Sequence, residues 1–165
     1  MKNLFFLLFF ICQTLSYSQV ITPDALRREY QQVNTDSASC AKIYKKIIKS
    51  NNADNITTAY RGAITASMAN YSKDKKEKLK LFNSGKKLLE QAITSDSTNI
   101  ETRFLRFTIQ SNCPKALGYN KQLSSDKNFI LKNYSSTTNI AVKRMISSFS
   151  QQCKSLTETE KQKLK

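Results

Sequence analysis

The stretch FNSGKKLLEQAI, residues 82–93, decides the fold class of this chain. Phe82, Gly85, Leu89 and Ile93 recur at spacings of three and four, which place them on one face of an α-helix. A glycine inside a helix costs about 1 kcal/mol relative to alanine. Because Gly85 lies at the centre of the apolar face, it indicates that a second helix approaches closely at this point.

Helical periodicity continues outward from this stretch in both directions. Loops rich in Asn, Asp and Ser, and a turn at Pro114 and Gly118, separate the periodic segments. The 165 residues include three Gly and two Pro, too few for the many tight turns of an all-β domain. The sequence therefore predicts an all-α protein of about 7–8 helices, near residues 23–33, 38–50, 56–71, 77–95, 100–112, 125–134, 139–152 and after residue 157.

The centre of the chain carries a resemblance to a known helical repeat. The pattern Gly85-x3-Leu89-x2-Ala92 resembles the second helix of a tetratricopeptide repeat, with Ser97 where the repeat has a proline. Residues 59–127 as a whole are similar to a family of uncharacterised, secreted, tetratricopeptide-like bacterial proteins. The resemblance implies stacked antiparallel helical hairpins and export, and it implies no particular activity.

The start of the chain has the pattern of a secretory signal peptide. A short basic start precedes the apolar run LFFLLFFI, residues 4–11, and Ser16 and Ser18 suit the cleavage site that follows. The run is shorter than the roughly 20 residues that span a membrane. One alternative is an N-terminal strand or membrane anchor. Another is a lipoprotein modified at Cys12, but the bulky residue that precedes Cys12 argues against lipoprotein cleavage.

We therefore expect export to the periplasm or the extracellular space, with residues 1–18 removed. In its own host the protein should lie outside the cytoplasm and begin at or near Gln19, as N-terminal sequencing or mass spectrometry can establish. Residues 1–18 found on the mature protein would contradict this. Residues 19–165 are expected to form a single helical domain, in which the short, charged segment 155–165 favours fraying.

Composition excludes several chemistries. The chain has no His, which removes acid–base schemes and metal sites built on imidazole. Glu90 and Glu101 are the only paired carboxylates near a plausible groove, and their separation across a loop predicts no catalytic geometry. Cys40, Cys113 and Cys153 have no close spacing; export permits a disulfide, and the alternative is that all are small buried apolar residues. We expect no enzyme activity, no cofactor and no metal.

Arg103, Arg106 and Gln110 share one narrow stripe on an otherwise apolar helix. Two guanidinium groups facing a groove could hold a carboxylate or the C-terminus of a partner. The alternative is internal pairing with Glu90 or Glu101, together with ordinary exposure. The stripe is thus a candidate binding site, and the alternative is that it has only a structural role.

Lysines form the second candidate surface. The chain carries 27 Lys and Arg against 12 Asp and Glu, a net charge of +15. Lys42, Lys45, Lys46 and Lys49 lie on one face of the second predicted helix, and the segment SKDKKEK, residues 72–78, is also basic. Such surfaces attract an anionic polymer or a membrane, or simply keep the protein soluble. The chain has no recognisable nucleic-acid-binding motif.

The sequence favours an exported, non-catalytic helical protein that acts as a protein–protein interaction or scaffold module with an unknown protein partner. The alternative is a basic periplasmic or surface protein whose lysine-rich faces bind an anionic polymer or a membrane surface.

Overall fold

A computed structural model describes residues 20–165, and within this range all regular secondary structure is helical. Helices cover 71% of these residues, which confirms the predicted all-α class. The predicted signal peptide, residues 1–18, lies outside the described residues. The elements are α1 (Pro23–Tyr30), α2 (Ser37–Ile48), α3 (Asn55–Met68), α4 (Lys75–Ser95), α5 (Ile100–Asn112), α6 (Leu123–Asn133), α7 (Ile140–Gln152) and α8 (Glu158–Gln162), with short 3-10 helices at Ala69–Tyr71 and Lys115–Leu117.

Short polar side chains cap the starting points of every described α-helix except α6. At each of these positions the side-chain oxygen accepts a hydrogen bond from a backbone N–H of the first turn, which would otherwise lack a partner. Thr157 forms a full capping box, since the Glu160 side chain in turn accepts from the Thr157 N–H. The capping residues are Thr22, Asp36, Asp54, Asp74, Asn99, Asn139 and Thr157.

Helix α3 is the central element of the fold. It packs against α1, α2, α4 and α5, and most of its residues are buried. Its sequence, NITTAYRGAITASM, consists mainly of small and β-branched residues, which allow neighbouring helices to approach from several sides. Arg61 is the partly exposed exception in the middle of the helix, and its guanidinium donates to the carbonyls of Ser50 and Asn52.

The closest helix contact joins α3 to α4 through two glycines. A Cβ placed on Gly85 would lie 2.4 Å from the backbone N of Ala66 and 2.5 Å from the carbonyl O of Gly62. A Cβ on Gly62 would lie 2.8 Å from the backbone N of Leu89. Since the earlier residue of α3 faces the later residue of α4, the two helices run antiparallel. The close approach inferred from Gly85 is confirmed.

The end of the chain packs onto the same hydrophobic core. Leu156 and Leu164 are both buried in it, on either side of α8. The sequence favoured fraying of residues 155–165, whereas these two leucines anchor the segment. Within residues 20–165, Cys40, Cys113 and Cys153 all remain free thiols, and Cys40 and Cys153 are buried. No helix in this range is long and apolar enough to cross a membrane.

Candidate functional site

A groove of about 790 Å³ opens between parts of the chain that are distant in sequence. Its lining comes from the end of α1 and the turn after it, from the 3-10 helix Ala69–Tyr71, from α5, and from α7 with the two residues that follow. Ligand pockets in proteins typically measure about 300–1,000 Å³. The groove is therefore large enough to take part of a bound molecule.

The lining of the groove is partly polar, partly apolar and almost uncharged. Carboxamides and hydroxyls supply most of its polar groups, and four of its residues are aromatic. Lys154 is the single charged residue among them, on a chain with a net charge of +15. The lining residues are Gln31, Asn34, Asn70, Asn112 and Gln152; Thr35, Thr108, Ser111 and Ser148; Tyr30, Tyr71, Phe104 and Phe149; and Met145, Cys153 and Lys154.

Internal hydrogen bonds hold part of this lining in place. The hydroxyls of Tyr30 and Thr108 lie 2.7 Å apart and share a hydrogen bond that joins α1 to α5. The Asn112 Nδ2 donates to the Thr108 carbonyl at 2.9 Å, and the Tyr71 hydroxyl donates to the carbonyl of Val33 at 3.3 Å. The shape of the groove is thus partly preorganised.

Other polar groups in the groove have no partner within residues 20–165. Asn34, Asn70 and Gln152 are exposed. Their side-chain amides make no hydrogen bond with any residue in the range 20–165. The Ser111 hydroxyl is buried and also lacks a partner in this range. An unpaired buried hydroxyl costs about 1–3 kcal/mol.

A buried ionic network lies beside the groove and joins α1, α3 and α5. The Arg27 guanidinium donates twice to the Glu101 carboxylate, with both distances 2.8 Å, and the Tyr60 hydroxyl donates to the same carboxylate at 2.7 Å. The rings of Tyr60 and Tyr30 meet edge to face at 5.5 Å. Burial raises the pKa of Tyr30 to about 12, and burial beside the Glu101 charge raises the pKa of Tyr60 well above its usual range.

The sequence-predicted arginine stripe lies outside the groove and is internally paired. The Arg106 Nε and Nη2 donate to the two oxygens of Asp126, at 2.7 and 2.9 Å, and its Nη1 donates to Glu90 at 2.8 Å. Burial alone would lower the pKa of Arg106, but hydrogen bonding and attraction from Asp126 and Glu90 outweigh it and raise the pKa. Arg106 and Asp126 are both buried.

The other two residues of the stripe are also held by the fold. The Arg103 guanidinium donates to Asp126 and to the carbonyl of Ser97, and it lies 4.4 Å from the centre of the Phe129 ring. Gln110 is buried, and its Oε1 has no partner within the described residues. None of Arg103, Arg106 and Gln110 lines the groove. Partner binding by this stripe remains a prediction, and the observed contacts favour its structural interpretation.

Glu90 and Glu101, the internal partners that the sequence suggested for the arginine stripe, belong to two different ion-pair networks. Glu90 does pair with Arg106, and it also accepts from the Tyr119 hydroxyl at 2.7 Å. Glu101 pairs with Arg27 instead. Sequence reasoning missed Asp126, whose position on the predicted sixth helix carried no signal that it would be buried against α5.

The predicted basic face of α2 is present on the surface. Lys42, Lys45 and Lys49 are exposed, whereas Lys46 is partly buried and forms an ion pair with Glu29. Within residues 20–165, no cluster of His, Cys, Asp and Glu has a geometry that could hold a metal ion.

Comparison of the chain with protein-family models, with curated proteins and with solved structures finds no match. The fold and the groove therefore define the protein only as an all-helical one with a neutral, amide-lined surface groove. Its tetratricopeptide-like packing stays a prediction.

Proposed function

We propose that this protein is an exported, non-catalytic interaction module that holds an uncharged segment of a partner protein in the groove. The observation that carries the proposal is the nearly uncharged lining of the groove. Lys154 is the one charged residue in this lining, although the chain as a whole is strongly basic. A charged partner segment would lose hydration on entering the groove and would find few opposite charges there. The groove therefore favours uncharged segments.

The carboxamides match the chemistry of a peptide backbone. Asn34, Asn70 and Gln152 each offer two N–H donors and a carbonyl acceptor. A peptide unit presents one donor and one acceptor, so each amide side chain can bond to it in both directions. Because these hydrogen bonds are made to the peptide backbone, they favour an extended segment whose backbone N–H and C=O groups are not already paired.

The apolar part of the lining suits the side chains of such a segment. Tyr71 and Phe149 are partly exposed in the groove, whereas Met145 is buried and offers a bound segment little surface. Aromatic side chains provide large contact areas, and they are enriched at protein interfaces. Binding then combines backbone hydrogen bonds with apolar contacts and requires no reacting group, in agreement with the absence of His from the sequence.

Two neighbouring glutamines on α7 allow a matched test. Gln152 lines the groove, whereas Gln151 is exposed and does not. Random peptides displayed on phage should be selected on the protein that starts at Gln19. We expect the selected peptides to contain few charged residues. Gln152→Trp should weaken their binding at least about tenfold by filling the groove, and Gln151→Trp should leave the Kd unchanged.

Three results would overturn the proposal. The first is that no peptide is enriched. The second is that the enriched peptides are mainly acidic, which would point to the lysine surfaces. The third is that Gln151→Trp and Gln152→Trp weaken binding equally. The melting temperature of both variants should match that of the unchanged protein, since both glutamines are exposed.

A further inference from the structure

A second surface, distinct from the groove, lies at the beginning of α4. It consists of Lys73, Lys75, Lys76, Lys78 and Lys80 together with Leu79, and is called here the α4 lysine patch. Residues 73–80 are all exposed. Leu79 is 48% exposed, so the lysines surround an apolar side chain that has no cover within the described part of the chain.

Little of the positive charge on this patch is neutralised locally. Residues 73–80 include only Asp74 and Glu77 as acids. Asp74 caps the helix, where it accepts a hydrogen bond from the backbone N–H of Glu77. Glu77 lies 3.9 Å from Lys80, and this exposed pair is the one ion pair of the patch within residues 20–165. The patch therefore keeps a net positive charge.

Stability of the helix does not explain these lysines. The N-terminus of a helix carries partial positive charge, so lysines in the first turn of α4 are unfavourable for it. The lysines of α2 differ, because Lys45 and Lys46 occupy the last turn, where positive charge is favourable, and Lys46 also pairs with Glu29. Breaks with local stability rules concentrate at functional sites. Ile48 on α2 is as exposed as Leu79, so the choice of α4 over α2 depends on the charge at the start of the helix, which is both unfavourable there and little neutralised.

We propose that the α4 lysine patch docks the protein on an anionic lipid bilayer, with the lysines at the headgroups and Leu79 inserted at the interface. Lysines near an anionic membrane surface are attracted to it. An apolar side chain among the lysines gains from the headgroup and acyl boundary, whereas a soluble anionic polymer offers it nothing equivalent. Charge and exposed apolar surface together therefore favour a bilayer. This inference does not rest on the proposed peptide groove.

The two surfaces adjoin each other along the chain. Tyr71 lines the groove, and Lys73 begins the α4 lysine patch shortly after it. Docking through the patch would consequently hold the groove near the membrane surface, where it would meet partner segments that emerge from the bilayer.

Vesicle flotation tests the proposal with the protein that starts at Gln19. This protein retains every core residue found within residues 20–165, the first of which is Ile21, and it lacks the apolar run of residues 4–11. It should float with phosphatidylglycerol-containing vesicles at low salt, and not with pure phosphatidylcholine vesicles. Lys76→Gln combined with Lys80→Gln should lower the partition coefficient about 25-fold, or about fivefold for each lysine.

Matched variants separate this patch from general basicity. Lys45→Gln combined with Lys49→Gln removes the same charge from two exposed positions of α2 and should change binding by less than about threefold. Leu79→Ser should weaken binding to the anionic vesicles severalfold and leave binding to heparin, a soluble polyanion, unchanged. Circular dichroism melting of each variant should confirm an intact fold.

The proposal is overturned if the protein does not float with anionic vesicles, or if the α2 and α4 pairs have equal effects. It is also overturned if Leu79→Ser binds the vesicles as well as the unchanged protein, because the surface would then be a general polyanion site.

Discussion

Replacing Arg106 by alanine should lower the free energy of unfolding by about 3 kcal/mol, and replacing Arg103 as well should raise the loss to about 5 kcal/mol. The reason lies in Asp126, whose side chain is 0% exposed and accepts hydrogen bonds from both arginines. Loss of Arg106 leaves Asp126 with a single cation. Loss of both leaves a buried carboxylate with no opposite charge, which is one of the most destabilising changes in a protein interior.

Chemical denaturation followed by circular dichroism measures both losses. Arg144→Ala is the matched control, because Arg144 is exposed on α7, and its effect should stay within about 0.5 kcal/mol. Adding Asp126→Leu to Arg106→Met should recover part of the stability, since it removes the stranded carboxylate, while Arg103 keeps its bond to the Ser97 carbonyl and Glu90 keeps its bond from Tyr119. If Arg106→Ala unfolds at the same denaturant concentration as the unchanged protein, the arginine is not structural. The result would then favour the interpretation of the stripe as a binding site.

Gly85→Ala should destabilise the protein by about 3 kcal/mol even though alanine is the better helix former. Overpacking usually costs about 1–3 kcal/mol. The structure raises the expectation, because the new methyl group would lie within 2.5 Å of backbone atoms of Ala66 and Gly62. Backbone atoms in a central helix cannot rotate away as a side chain can, so α3 and α4 would have to separate.

The neighbouring Ser84 supplies the control for Gly85. It is exposed on the same helix, so Ser84→Ala should be neutral or slightly stabilising. Gly62→Ala should resemble Gly85→Ala, because its new Cβ would meet the carbonyl O of Gly85 and the backbone N of Leu89, both at 2.8 Å. Equal melting temperatures for Gly85→Ala and Ser84→Ala would show that α3 and α4 do not meet as described.

The arginine stripe shows how a correct helix prediction can leave two interpretations of its surroundings open. Spacing placed Arg103, Arg106 and Gln110 on one side of α5, and the structure keeps them there. What the two arginines face depends on α6, which brings Asp126 against them. Two arginines at this spacing on an apolar helix are compatible with an open groove and also with a buried ion pair. Only the position of the acidic partner distinguishes these two cases.

The groove shows the opposite case, a surface with no signal in the sequence. Its amide side chains come from the ends of α1 and α7 and from the 3-10 helix between α3 and α4. Asn and Gln at such positions have the composition of ordinary loops and helix ends. Nothing in their individual spacing indicates that these segments meet around α5.

The sequence by itself determined the helical class, the helix boundaries to within about three residues, and the close contact at Gly85. These features depend on periodicity, capping and glycine placement, which act over a few neighbouring residues. The tertiary structure alone decided that Asp126 neutralises Arg106, that Glu101 neutralises Arg27, and that Asn34, Asn70 and Gln152 share one groove. These arrangements join residues far apart in the chain, and they follow from how whole helices pack rather than from any local preference.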